Sequence, residues 1–233
     1  MKKRTLIAAA CAALFVAAIL LINIEVTTRQ GVNYELRVLK IPLYLKILDF
    51  ADRHYNYKAL VKRITSGAKT DEEKVMRIFE WTSFNIRKNP PELPVLDDHV
   101  WHIIVRGYGA GDQSQDVFTT LCNYAGCDAF FSVAYIEMPK KGKMLSFVKL
   151  GKAWKVFDAY NGVYFLNKEG VLASVGDLSS GGWKAVSVSN GDMPQDYKEY
   201  FVNLDRVDYK TWRTSRSAIQ SPLRRLIFWL NKN

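Results

Sequence analysis

The stretch at residues 103–127, IIVRGYGAGDQSQDVFTTLCNYAGC, leaves the chain few local options. Gly107, Gly109 and Gly111 supply the backbone freedom of a tight turn. Directly after them Val117, Leu121 and Tyr124 recur at helical spacing, with Phe118 and Cys122 beside them, so one broad face of the predicted helix is apolar. Asp112, Ser114 and Asp116 crowd its first turn, where unpaired backbone N–H groups and the helix dipole favour acceptors. Gly126 stops the helix, because glycine takes the left-handed cap without a Cβ penalty. The run Ala129–Ile136 then reads as a buried strand. Turn, buried helix, glycine and strand together set a residue at a helix N-terminus facing a groove.

The flanking segments read as helices before this stretch and short strands after it. From Leu43 to Ile64 apolar residues recur at helical spacing, with Leu45, Leu48, Ala51 and Tyr55 as the expected stripe. A second helix starts at Thr70, whose hydroxyl can cap while Glu73 reaches back, and runs through Val75, Ile78, Trp81 and Phe84 to about Arg87. Pro90-Pro91 ends it and opens a loop to Asp98. Beyond Ile136, turns at Lys140–Gly142, Gly151-Lys152 and Asn161-Gly162 separate short strands, and residues 167–192 are expected as a peripheral hairpin.

The spacing of these landmarks resembles the transglutaminase-like superfamily, whose core is a variant of the papain-like cysteine protease fold. Members carry a glycine-rich turn and a nucleophilic Cys at a helix start, often followed by Asp-Gln, with a glycine about fifteen residues on. Here Asp112-Gln113 and Gly126 match, which places Gly111 where the cysteine belongs. The family's later strand ending in Trp and then Asp is matched by Gly151 through Trp154 to Asp158-Ala-Tyr160. The resemblance implies a His about fifteen residues before that Asp, where this chain reads Gly142-Lys-Met-Leu-Ser146. His54, His99 and His102 all precede Gly111 and cannot fill the gap. Acyl transfer of this kind needs a thiolate activated by an imidazole. Glycine has nothing to attack with, and neither Lys143, Leu145 nor Ser146 supplies a base with imidazole's pKa. Of the implied triad only Asp158 is retained. The expectation is an α+β, transglutaminase-like domain with no catalytic residue and no cofactor. The implied ligand cleft would be lined by Asp112, Gln113, Trp154, Asp158 and Tyr160.

Upstream, Lys2-Lys3-Arg4 precedes an uncharged run from Thr5 to Ile24, about twenty residues, enough to cross a bilayer core as a helix. A cleaved secretory signal is the rival, but Ala17-Ala18 is followed by more apolar residues rather than polar ones, which favours a retained anchor. A lipoprotein reading at Cys11 is the lesser alternative, because Ala8-Ala-Ala10 lacks the usual aliphatic residue and the apolar run continues past the cysteine. The basic cluster should stay cytoplasmic and leave the domain outside the inner or cytoplasmic membrane. The expected division is a basic cap at 1–4, an anchor at 5–24, a linker (or short strand) at 25–41, the domain at 42–220 with its core at about 71–165, and a basic amphipathic tail helix at 221–233. That tail has two expected fates, lying on the membrane or packing on the domain, of which packing is the commoner.

Net charge is +10, of which Lys2, Lys3 and Arg4 carry three. A basic domain beside a membrane fits anionic envelope polymer or head groups as neighbours, or simply a solvated basic surface. No nucleic-acid-binding motif is present, and none is expected as a partner. Asp97-Asp98-His99 with His102 has the residue types of a metal site, but two histidines three apart without a fixed third ligand favour a structural role. Cys122 and Cys127 flank a helix end and are expected as buried free thiols, with a disulfide as the alternative. The reading that follows is a non-catalytic binding or scaffolding module in an envelope process such as surface polysaccharide assembly, with a peptide or protein partner in the former groove. Its rival is a hydrolase or transferase built on Asp112 with Asp158, or on Cys122 with His99.

Overall fold

The structure, a computed structural model, describes residues 2–97, 99–136, 142–188 and 197–230. Helix α1 (Lys2–Ile22) opens the chain; its segment Arg4–Ile22 is long and apolar enough to span a membrane, and none of its most apolar window is buried against the rest of the protein. Where a linker or short strand is expected, the chain forms an antiparallel hairpin of β1 (Glu25–Val32) and β2 (Glu35–Pro42). Its two-residue loop, Asn33-Tyr34, has positive φ at both positions (48° and 68°), the geometry that matches strand twist in tight hairpins. The N–H of Leu43 donates to Ile24 O at 2.8 Å, so the hairpin leaves and returns at the end of the apolar helix.

Helix α2 (Leu43–Ile64) keeps its expected bounds but not its expected face. Tyr57, Leu60 and Val61 are buried, whereas Leu45, Leu48 and Tyr55 are exposed. The helix carries two apolar stripes, and only the C-terminal one meets the core. Helix α3 (Asp71–Asn85) is capped by Thr70 Oγ1, which accepts from Glu73 N at 3.1 Å. Glu73 in turn accepts from Lys69 N at 2.7 Å, one residue earlier than in the usual reciprocal cap. After β3 (Arg87–Lys88), Pro90-Pro91 turns the chain to β4 (Leu96–Asp97), which extends the hairpin through β1. Helix α4 (Val100–Arg106) ends at Gly107, whose φ of 73° a side chain would resist. Strand β5 (Tyr108–Gly109) pairs parallel with β3 and delivers the chain to α5 (Gly111–Tyr124).

The main sheet follows as an antiparallel meander of β6 (Ala129–Tyr135), β7 (Gly142–Leu150), β8 (Ala153–Asp158) and β9 (Val163–Asn167). The expected turn at Lys140–Gly142 falls largely outside the described residues. Residues 167–188 do not form a hairpin of their own: helix α6 (Val175–Ser180) returns the chain so that β10 (Trp183–Ser187) pairs with β9, giving the order β10-β9-β8-β7-β6. The rest of that expected segment, from 189, lies outside the described residues. Helix α7 (Lys198–Phe201), three 3-10 turns between Leu204 and Gln220, and α8 (Pro222–Leu230) complete the chain.

Strand alternation divides the interior into two cores. Ala129, Val148 and Phe157 face α2, α3, α4 and α5, packing on Phe79, Phe118 and Leu121. Phe130, Phe147, Val156 and Phe165 face the other way, onto Tyr197, Phe201 and Leu204. Helix α5 is buried along almost its whole length, including its polar residues from Gln113 to Asp116. A buried polar side chain is tolerated only when it is hydrogen-bonded, and those bonds build the site.

Candidate site at the start of the buried helix

Gly111 is the first residue of α5, following Ala110. The expected acceptors do not cap it. Asp112 is exposed, and Asp116 points into the interior, where its carboxylate meets Arg216 at 2.9 Å. The cap comes from Gln113, whose Oε1 accepts from the N–H of Ala110 and from Arg106, both at 3.0 Å, while its amide donates to Leu96 O. Gln113 is thus a buried fastener between α5, α4 and β4. A side chain on Gly111 would begin 3.8 Å from the ring of Tyr160, in ordinary van der Waals contact with it. Lys88 lies over the same ring, 5.0 Å from its centroid.

Opposite the helix, β8 ends in Asp158, whose side chain is 1% exposed. Lys143, on the adjacent strand β7, brings Nζ to 3.2 Å from Asp158 Oδ2. The Lys143 ammonium is therefore locked to the Asp158 carboxylate. Four more donors complete the shell. Tyr197 Oη donates to Oδ2 at 2.9 Å and Asn161 Nδ2 to Oδ2 at 2.8 Å. The Asn161 N–H and Gln115 Nε2 donate to Oδ1, each at 3.1 Å. Lys143 also lies 4.3 Å from the centroid of the Tyr197 ring, whose face attracts a cation. Burial, and then the neighbouring Asp158, raise the Tyr197 phenol, so it remains a donor. Gln115 Oε1 accepts from Ser146 Oγ at 2.6 Å and from the Ala159 N–H at 3.1 Å, tying α5 to β7 and β8.

With five donors on two oxygens, Asp158 has no lone pair left to orient an incoming group. Reading the sequence singles out Asp158 but not the partners Gln115, Asn161 and Tyr197 that surround it; the only local signal is that Gln115 sits on the turn of α5 facing the sheet.

The remaining expected site residues scatter. Tyr160 lies beside Gly111 and Asp158 accepts from Gln115 of α5, whereas Trp154, four residues before Asp158 on the same face of β8, lies farther along the strand against Phe130 and Tyr209. Cys122 is fully buried in the first core, and burial raises its thiol well above the usual range, the reverse of what a nucleophile needs. Cys122 and Cys127 are free thiols. Asp97 pairs with Arg216 at 2.8 Å and His99 stacks edge-on to His102; Asp98 lies outside the described residues. Among the described residues no group of three or more His, Cys, Asp or Glu is placed to hold a metal. A concavity of about 380 Å³, lined by His54, Lys58, Tyr124, Ser217 and Arg224, opens at the other end of α5. Tyr124 is thirteen steps along the chain from Gly111, so the concavity lies about 20 Å away along the helix.

No curated protein matches the chain. Among solved structures, a candidate cysteine protease from Cytophaga hutchinsonii is 14% identical over 66% of this chain and 60% of its own, with a TM-score of 0.39. A candidate protease from Parabacteroides distasonis is 13% identical over 57% of this chain and 35% of its own, with a TM-score of 0.38. The chain thus spans 60% and 35% of the lengths of these two proteins. Residues 58–187, more than half of the sequence and including the whole of α5 and the main sheet, match the transglutaminase-like superfamily, and the chain belongs to that superfamily.

Proposed function

We propose that this protein is a membrane-anchored, non-catalytic member of its superfamily, a binding or scaffolding module whose former catalytic centre serves as a structural clamp. The observation that carries the reading is the Lys143–Asp158 pair, closed at 3.2 Å opposite a helix start that presents only Gly111. An acyl-transfer centre needs a nucleophile, a base that can accept its proton, and an orienting group with free capacity. Here the first position has no side chain, the second holds a cation, and the third is saturated. Neither rival pairing repairs this: Cys122 is sealed in the core, and Asp112 is exposed while Asp158 is occupied. A partner seated at the former groove would lie against Tyr160 and Asp112, with Lys88 beside them to meet an anionic group of a peptide or envelope polymer. The apolar α1, preceded by Lys2-Lys3-Arg4, supports an anchored protein whose domain lies outside the cytoplasmic membrane.

The test is turnover. The full chain in detergent, offered glutaminyl peptides with an amine acceptor, should release ammonia at the rate of the buffer. Turnover above that rate, lost on Lys143→Met or Cys122→Ala, would refute the proposal.

A further inference from the structure

Helix α8 is amphipathic in the inverted sense. Leu223, Leu226, Ile227 and Leu230 follow the i, i+3, i+4, i+7 spacing of one face, and all four are exposed, as is Trp229 (64%). Its basic side chains turn inward. Arg224 donates to Asn123 Oδ1 at 2.6 Å and pairs with Asp128 at 3.4 Å. Arg225 donates to Ile219 O at 3.1 Å and lies 4.5 Å from the centroid of the Phe50 ring on α2. A terminal helix that packs on a water-soluble domain buries its apolar face; this one is held by its arginines and presents the apolar face outward.

The surface is continuous with the anchor. Leu43 is hydrogen-bonded to Ile24, two residues beyond the end of α1. The first turns of α2 then expose Tyr44, Leu45, Ile47 and Leu48. Phe50, where α8 is held, is seven residues into that helix, about 10 Å along its axis from Leu43, the residue hydrogen-bonded to the end of the apolar segment. That is comparable to the depth of the head-group zone on one side of a bilayer.

We propose that α8 and the first turns of α2 form a second membrane contact, lying in the interfacial layer of the bilayer that α1 enters. Leu223, Leu226, Ile227 and Leu230 reach the acyl boundary, and Trp229 takes the interfacial position that its ring and N–H favour. Lys46, which donates to Thr27 O at 2.6 Å, lies among the exposed apolar residues of α2 and supplies positive charge for anionic head groups. The contact holds the domain close to the membrane and fixes which surface faces away from it. The inference rests on α1 being the anchor.

The full chain, reconstituted in nanodiscs of phosphatidylcholine and phosphatidylglycerol brominated near the top of the acyl chains, tests this by tryptophan quenching. The expected result is a lipid-quenched fraction of the emission that is lost in Trp229→Phe. Leu226→Asp with Ile227→Asp should abolish the same fraction, and these exposed positions should leave the far-ultraviolet spectrum in detergent unchanged. Equal quenching of wild type and Trp229→Phe, in a chain that co-elutes with the discs, overturns the second contact and leaves the anchor standing. Trp229 emission that responds to the number of copies per disc but not to bromination assigns the surface to a second copy and also overturns it. A chain that elutes apart from the discs overturns the anchor and this inference together.

Discussion

Replacing Lys143 by Met removes the ammonium and keeps most of the stem that fills its place. Only 12% of the Lys143 side chain and 1% of Asp158 are exposed, so the carboxylate left behind stays buried. Removing one partner from a buried ion pair typically costs about 3–5 kcal/mol. Asp158 retains Tyr197, Gln115 and both Asn161 donors, which moves the expectation to the lower end, about 3 kcal/mol. For a domain of this size each 1 kcal/mol shifts the unfolding midpoint by about 2–4 °C, so Lys143→Met should melt about 6–12 °C lower. Asp158→Asn should cost a similar amount, since it leaves the ammonium without a carboxylate. The double variant should cost less than the sum of the two, by about 1–3 kcal/mol, because the partners are in contact. Thermal and urea unfolding of the full chain in one detergent, followed by circular dichroism, measures all three. A Lys143→Met protein that melts within a degree of wild type, with additive effects in the double variant, would refute the clamp.

Three further outcomes are expected. Burial raises the Asp116 carboxyl to about 6 against the pull of Arg216, so its folded form holds more protons than the unfolded chain and its contribution to stability falls as pH rises from about 4 to about 6. Burial, and then Arg53, depress His99 to about 4, so its contribution rises with pH between about 4 and 6.5. The two oppose each other, and urea midpoints should fall with pH over that window in His99→Gln and rise in Asp116→Asn; parallel profiles would sink the assignment. Gly111 has no positive φ and a Cβ there meets Tyr160 only at ordinary contact distance, so Gly111→Ala should be neutral or stabilising by about 0.5 kcal/mol, whereas a marked loss in melting temperature would show the glycine is needed by the fold. Cys122 and Cys127 should resist alkylation in the native protein, since burial raises both thiols, the second to about 11, and should both react in urea without reductant; a mass that stays unalkylated in urea would reveal a disulfide instead.

The elements with local chemistry were the legible ones. Thr70 and Glu73 mark the start of α3, Gly126 (φ 91°) ends α5, and Gly151 and Gly162 turn the sheet at positive φ. These signals depend on neighbours a few residues apart. The face of α2 was misread because periodicity reports that Leu45 and Leu48 share a stripe but not which environment the stripe meets. The hairpin at residues 25–42 was hidden for a related reason: β2 exposes both of its faces over most of its length, so no alternation announces it. Asp158 was legible as the end of a Trp-to-Asp strand, but its partners were not. Gln115 lies 43 residues before it and Tyr197 39 residues after, and polar residues that meet across such distances leave no period in the chain. Trp154 shares a face of β8 with Asp158, but it sits four residues earlier along the strand, where Phe130 and Tyr209 cover it, and spacing alone does not show what covers a strand position.

The central claim is that no side chain of this protein forms a covalent acyl intermediate. Intact mass spectrometry tests it on a Cys11→Ser background, which removes the exposed thiol of α1. The native chain is incubated with activated acyl donors and electrophilic peptide probes, then mapped by proteolysis. The account predicts an unchanged mass for the native protein, with adducts at Cys122 and Cys127 only after denaturation. A stoichiometric acyl adduct on any residue of the folded chain, discharged by added amine, would contradict it.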